Sequence, residues 1–318
     1  MSEAQELLKN LNSNDLAEKK KSIFKIGDLK VKEAIPTLIQ LLETDSDSVV
    51  RNSAARALGK IADPDQFDTI LEALDKALED PDSYVKANAC WSLGKLKDKR
   101  AIPSLMKMVD PNQRSYAMVG DPKAQSNTKE NEASAKLKEE GIKFSDIIVS
   151  AIKAIGNIKD PAGVPALIKG LEDEADGDVR CASAIALGKI GDGSAVLPLI
   201  ERLKMDKYWY VRRDVAKALA KLKDPRAGPE LAKKTNDMYD EVREHSVKAL
   251  LAIGKPVSNI LFKLYLADPK NLKLKKFVTT QLTRDEILQI LENLVKNEKN
   301  ESKRKIYQNY LDKIETQT

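Results

Sequence analysis

The sequence predicts an all-α fold, a right-handed solenoid of about nine stacked antiparallel helix pairs, and three columns of residues sharing one period predict it. A helix ending recurs as KIGDL (25–29), ALGKI (57–61), SLGKL (92–96), AIGNI (154–158), ALGKI (186–190) and ALAKL (218–222). Its central residues, Gly27, Gly59, Gly94, Gly156, Gly188 and Ala220, lie 32, 35, 62, 32 and 32 apart. Eight residues before this column a Val-Arg or Val-Lys pair opens the same helix, at Val50-Arg51, Val85-Lys86, Val179-Arg180 and Val211-Arg212, with Val242-Arg243 one period further on. A proline marks the helix before it, as Pro36, Pro103, Pro165, Pro198 and Pro229. Proline is tolerated in a first helical turn because those amides have no intrahelical acceptor to lose. Independent columns with a common period are the mark of a repeat array.

Each unit reads as helix A beginning near its proline, a short turn with Asp or Gly, helix B opening with Val-Arg, and a Lys-rich exit. Residues 2–30 form a degenerate first unit. The next units run over about 31–62, 63–97, 98–159, 160–191, 192–223 and 224–255. In helix B of the sixth unit Val211, Val215, Ala218, Leu219 and Leu222 recur at helical spacing as one apolar stripe. A lone pair cannot bury such a stripe, so neighbouring units must stack. Residues 256–318 keep the helical rhythm in VSNILFKLYLA, LKLKKFVTTQL, RDEILQILENLV and KRKIYQNYLDKI without the signature, and read as divergent units capping the stack.

The fourth unit is interrupted. Pro103 and Gly156 are 53 apart, against 23 for Pro36 to Gly59, so thirty residues stand between helix A and helix B, near 112–142. Their Pro/Gly/Asn/Ser start and polar Glu/Lys/Ala run suit either a tolerated surface loop or a functional insertion.

Composition agrees with packed helices: aromatics are only 5% of the chain and 32% is charged. The 54 basic and 49 acidic residues nearly cancel to a formal +5, which permits an anionic partner without demanding one. The two cysteines, Cys90 and Cys181, have no second Cys or His at metal-ligand spacing, which indicates free thiols in a reducing compartment and no metal or cofactor. The start MSEAQELLKNLNSND lacks a basic stretch followed by an apolar run, and no segment approaches eighteen apolar residues. The expectation is a cytoplasmic protein with no membrane contact.

VRRDVAKALAKLKDPRA and DVRCASAIALGKIGD resemble the HEAT-like repeats first associated with phycobilisome lyases, over about residues 14–255. The resemblance implies an α-solenoid and says little about activity. Its enzymatic members were tested against the residues. Deoxyhypusine hydroxylase needs several His-Glu pairs for two irons, whereas the only histidine here is His245. Nothing in the columns marks a bilin pocket. The HEAT-like alkylpurine DNA glycosylases line a basic face with aromatics, and Lys207-Tyr208-Trp209-Tyr210-Val211-Arg212-Arg213 invites that comparison, but aromatics before Val-Arg are better read as turn packing than as base-stacking platforms. No nucleophile-base arrangement or phosphate-cradling loop is found, so no catalytic residue is assigned. The Arg of each Val-Arg is expected to pair structurally with the Asp four residues before it, as Asp47 with Arg51, Asp82 with Lys86 and Asp176 with Arg180.

The informative surface is the solvent stripe of helix B, counted from the opening Val at positions two, three, six and ten. In HEAT-like solenoids this stripe lines the concave side. Position six holds Arg56, Trp91, Lys153, Ile185, Lys217 and Lys248; position ten holds Lys60, Lys95, Asn157, Lys189 and Lys221. Eight of these eleven are basic and none is acidic. Lysines at position ten also complement the helix dipole, but position six lies mid-helix. With Arg213 at position two of the sixth unit, these cations and the Trp91 anchor point to a non-catalytic scaffold or adaptor holding an acidic protein segment. A nucleic-acid-binding solenoid is the alternative, and a bilin-lyase-like or other enzyme accessory role the third reading.

Overall fold

The computed structural model describes residues 2–110, 144–173 and 176–316. They form eighteen α-helices and no strand. The helices are α1 Glu3–Asn10, α2 Leu16–Leu29, α3 Ile35–Thr44, α4 Ser48–Ile61, α5 Phe67–Lys76, α6 Ser83–Leu96, α7 Ile102–Val109, α8 Phe144–Ile158, α9 Val164–Leu171, α10 Gly177–Ile190, α11 Val196–Met205 and α12 Trp209–Leu222. They continue as α13 Gly228–Lys234, α14 Asp240–Ile253, α15 Ser258–Ala267, α16 Leu272–Gln281, α17 Arg284–Asn297 and α18 Glu301–Glu315. Taken in order they make nine A/B pairs, the α-solenoid class that the period predicts. The insert expected near 112–142 lies outside the described residues. The chain divides into two compact units, Met1–Ala218 and Leu219–Thr318.

The first unit shows why each pair forms. Pro36, Pro103 and Pro165 sit in the first turns of α3, α7 and α9, where the missing N–H is no loss. Asp15, Asp47, Asp82 and Asp176 cap the B helices, each accepting a backbone N–H of the first turn. Each B helix from α2 to α10 ends on a residue with positive φ, namely Lys30, Ala62, Lys97, Lys159 and Gly191. The glycine column is therefore not the helix terminus. Gly59 and Gly94 stand two residues inside α4 and α6, and the left-handed cap just after each helix is Ala62 or Lys97.

What the glycines supply is a close approach between B helices. A Cβ built on Gly94 would lie 2.7 Å from Ala154 Cα, and one on Gly59 would lie 2.7 Å from Ser92 Cα. Gly156 meets Ala186 and Gly188 meets Ala218 in the same way. Each glycine at position nine thus receives the small residue at position seven of the next B helix. Within the first unit the B helices pack serially on one another more extensively than the A helices do. Val50, Leu58, Leu93, Ile155 and Leu187 are fully buried between the layers, as are Val211 and Val215 of α12.

The Asp-Arg ladder exists in a different register from the one expected. Asp47, Asp82 and Asp176 are occupied as caps. Arg51 instead reaches Asp80 in the next repeat, with Nε and Nη2 on the two carboxylate oxygens at 2.8 and 3.1 Å. Arg180 grips Asp206 at 2.7 and 3.2 Å, and Lys19 meets Asp45 at 3.2 Å. The same arginines close their own A–B turns, Arg51 Nη1 donating to Asp45 O at 2.9 Å and Arg180 Nη1 to Asp173 O at 2.7 Å. Lys86 takes the ladder position in α6, and burial pushes its pKa down.

The second unit contains the end of α12 and α13 to α18. Its core includes Leu250, Leu261, Phe262, Leu274 and Leu291. Thr283 and Glu286 form a reciprocal capping box at the start of α17, which defines that helix without any repeat signature. No single helix among the described residues is long and apolar enough to cross a membrane.

Candidate partner-binding surface

Because position seven of α4, α6, α8, α10 and α12 is pinned in the glycine notch of the preceding B helix, position six is turned outward beside it. In the first unit Arg56, Trp91, Lys153 and Ile185 are exposed and Lys217 is half-buried. The structure adds a residue to this column. Counting back nine from Gly27 opens the first repeat at residue 18, which puts Phe24 at position six, 60% exposed. The first helix B lacks Val-Arg, so the opening pair could not reveal that register. The distance to the glycine could have done so.

The side chains of the stripe are arranged as rings flanked by cations. The Arg56 guanidinium lies 5.0 Å from the centre of the Trp91 ring, and Lys60 Nζ lies 4.5 Å from that of Phe24. Asn88 donates to Asn52 at 2.7 Å between the same helices. A cavity of about 70 Å³ opens between α2 and α4, lined by Ile23, Phe24, Asn52, Ser53, Arg56 and Lys60 among others. Trp91 is 37% exposed, so it is not wedged between repeats.

Several of the cations are partly neutralised. Lys60 pairs with Asp28 at 2.5 Å; Lys189 donates to the uncharged amide of Asn157 at 2.9 Å and keeps its charge. Lys217 Nζ is 2.8 Å from Asp214, a buried carboxylate at position three that Arg213 also holds at 2.9 and 3.0 Å. Burial pushes the Asp214 carboxyl up, but hydrogen bonds from Arg213, Cys181 and Lys217 outweigh it and hold it at about 2. A carboxyl depressed below its unfolded value near 3.9 contributes stability above that value and loses it as pH falls toward 2. Lys95 is exposed and unpaired among the described residues, and so is Lys153. In the second unit Lys221 is exposed, while Lys248 pairs with Glu244 at 2.8 Å.

The aromatic run at the start of α12 packs on the preceding repeat. Tyr208 and Tyr210 stack with centroids 5.3 Å apart, and a Cβ on Gly177 would lie 2.3 Å from the Tyr210 hydroxyl, so the pair covers the start of α10. Arg213 stacks on Trp209 at 5.2 Å.

Neither thiol is activated. Burial pushes Cys90 up to about 12; burial and then the hydrogen bond to Asp214 at 2.7 Å push Cys181 to about 12. Native protein at pH 8 is expected to leave both thiols unmodified by an aromatic disulfide reagent over minutes, with two released on denaturation. One fast-reacting thiol in the native state would contradict this. His245 Nδ1 is engaged by Glu241 O at 2.7 Å. No group of three or more His, Cys, Asp or Glu able to hold a metal occurs among the described residues.

A family model described as HEAT repeats matches residues 4–77, 66–117, 144–220 and 196–274. No curated protein matches the chain. Among solved structures, the Escherichia coli protein YibA is 20% identical with a TM-score of 0.53, over 86% of this chain and 90% of that one. The complex of CpcE and CpcF of phycocyanin lyase from Nostoc sp. PCC7120 is 22% identical with a TM-score of 0.46, over 88% and 94%. A designed armadillo repeat protein in complex with the peptide (KR)4 is 21% identical with a TM-score of 0.42, over 80% and 100%. The similarity to YibA shows the fold alone.

Proposed function

The chain belongs to the HEAT-repeat family, and on that premise we propose that it is a non-catalytic protein-binding scaffold whose B-helix face in the first unit holds an acidic segment of a partner. The observation that carries the proposal is the charge of that face. Cations recur at position six, in Arg56, Lys153 and Lys217, and at position ten, in Lys60, Lys95 and Lys189, while its acids, Asp28 and Asp214, are already paired with Lys60 and with Arg213 and Lys217. The face therefore keeps a positive excess although the whole chain is nearly balanced. We place the repeat array in residues 1–255, with 256–318 as its cap, in a reducing compartment where Cys90 and Cys181 stay as thiols.

The test is a competition. Labelled Asp/Glu-rich peptide, duplex DNA and single-stranded RNA are offered to the full chain at equal phosphate or carboxylate concentration. The peptide is expected to bind and to resist displacement by either nucleic acid. Displacement by nucleic acid, with affinity falling steeply as salt rises, would transfer the surface to phosphate recognition.

A further inference from the structure

We infer that the position-six column of the first unit reads an extended partner chain in which apolar anchors and acidic residues alternate, because the column itself alternates apolar and cationic along successive repeats. From the first repeat to the sixth it runs Phe24, Arg56, Trp91, Lys153, Ile185, Lys217. The inference rests on the proposed binding role of this face and goes further by fixing the periodicity of the partner.

The alternation lies in exposed atoms, which is what recognition requires. Phe24, Trp91 and Ile185 are 60%, 37% and 38% exposed, whereas the opening Val50, Val85, Val179 and Val211 are buried; Val49 and Tyr84, one residue before the opening Val, are exposed too but do not alternate with cations. Scattered exposed apolar side chains need no explanation, but three at one register position, in every second repeat, form a pattern. Each ring has a cation over it, Lys60 on Phe24 and Arg56 on Trp91; Lys60 is paired with Asp28, so Arg56 is the carboxylate-binding group that an apolar partner group docking at Trp91 meets. The cavity next to Phe24 has room for one short side chain.

An extended segment spans the column with the fewest residues. Packed helices lie about 8–10 Å apart, so position six recurs at that spacing and its apolar members, two repeats apart, at about 16–20 Å. An amphipathic helix rises about 1.5 Å per residue, so it needs about eleven to thirteen residues to pass from one such apolar site to the next. An extended chain advances about 3.3 Å per residue. It therefore passes about three residues per repeat and offers an apolar residue about every sixth position, with an acidic residue about midway between.

The experiment uses the full chain and synthetic acidic peptides of about 20 residues. One carries Leu at every sixth position with Glu midway; an isomer of identical composition carries Leu at every fourth. Binding is read by fluorescence anisotropy, with an oligouridylate as competitor. The six-spaced peptide is expected to bind at least about tenfold tighter than its isomer, the size of effect that burying one further apolar side chain supplies. Trp91→Ala and Ile185→Ser are expected to erase that preference while the helical CD signal and melting curve are retained. Equal binding of both peptides, weakened by Lys153→Glu, overturns the alternation and leaves the binding role of the face intact. Equal binding unaffected by Lys153→Glu, no binding of any acidic peptide, or displacement by the oligouridylate overturns both.

Discussion

Replacing Asp206 with alanine is expected to destabilise the protein by about 3–5 kcal/mol, measured as a shift in the urea unfolding midpoint followed by circular dichroism. The Asp206 side chain is fully buried and that of Arg180 is 3% exposed. Arg180 spends Nε and Nη2 on this carboxylate and Nη1 on Asp173 O. Removing Asp206 leaves a guanidinium in the core without its counter-charge and also frees Tyr208 N, which donates to Asp206 at 2.9 Å. The double substitution Arg180→Met with Asp206→Leu is expected to recover most of the loss, because it removes the charge together with its partner. The exposed pair of Arg100 with Asp98 and Asp68 makes the contrast: Arg100→Ala is expected to change stability by about 1 kcal/mol or less.

Gly94→Ala is expected to destabilise by about 1–3 kcal/mol, although the same change in an isolated helix would stabilise by about 1 kcal/mol. The added Cβ would stand 2.7 Å from Ala154 Cα, so either α6 and α8 move apart or the methyl is compressed against backbone. Three residues on, Lys97 adopts φ 60, where a side chain is disfavoured and glycine is not. Lys97→Gly is therefore expected to stabilise slightly. Thermal melts of the two variants should shift in opposite directions. A stabilised Gly94→Ala protein would show that the B helices do not depend on this close approach.

The fold was legible because its signals were redundant: the proline, Val-Arg and glycine columns each give the same period. The ladder partner was not legible. Asp47 stands one helical turn before Arg51 in sequence, whereas the actual partner, Asp80, is 29 residues away and is brought near by stacking alone. Once an N-cap Asp is committed to backbone amides it is a poor partner for a side chain four residues later, and that competition was the missed argument. The stripe was partly legible. Period and residue type placed Arg56, Trp91 and Lys153 on the solvent side, but counting only positions six and ten overlooked Asp214 at position three, which holds Lys217. Phe24 was hidden by the irregular opening of the first repeat. The sense of the glycine column also needed coordinates, because a sequence shows that a residue is small without showing what comes close to it.

The most direct test of the scaffold reading compares two variants of equal charge change. Arg56→Glu with Lys153→Glu reverses exposed cations on the B-helix face; Lys107→Glu with Lys204→Glu reverses exposed lysines on A helices. Lys217 is left unchanged because a glutamate beside buried Asp214 would disturb the fold. Both variants are expected to melt close to the parent, since exposed substitutions usually shift stability by about half a kcal/mol. With a fluorescent Asp/Glu-rich peptide as probe, the B-face variant is expected to lose binding and the A-helix variant to keep it. Equal weakening by the two variants would mean that the peptide senses net charge alone, and the B-helix face would not be the site.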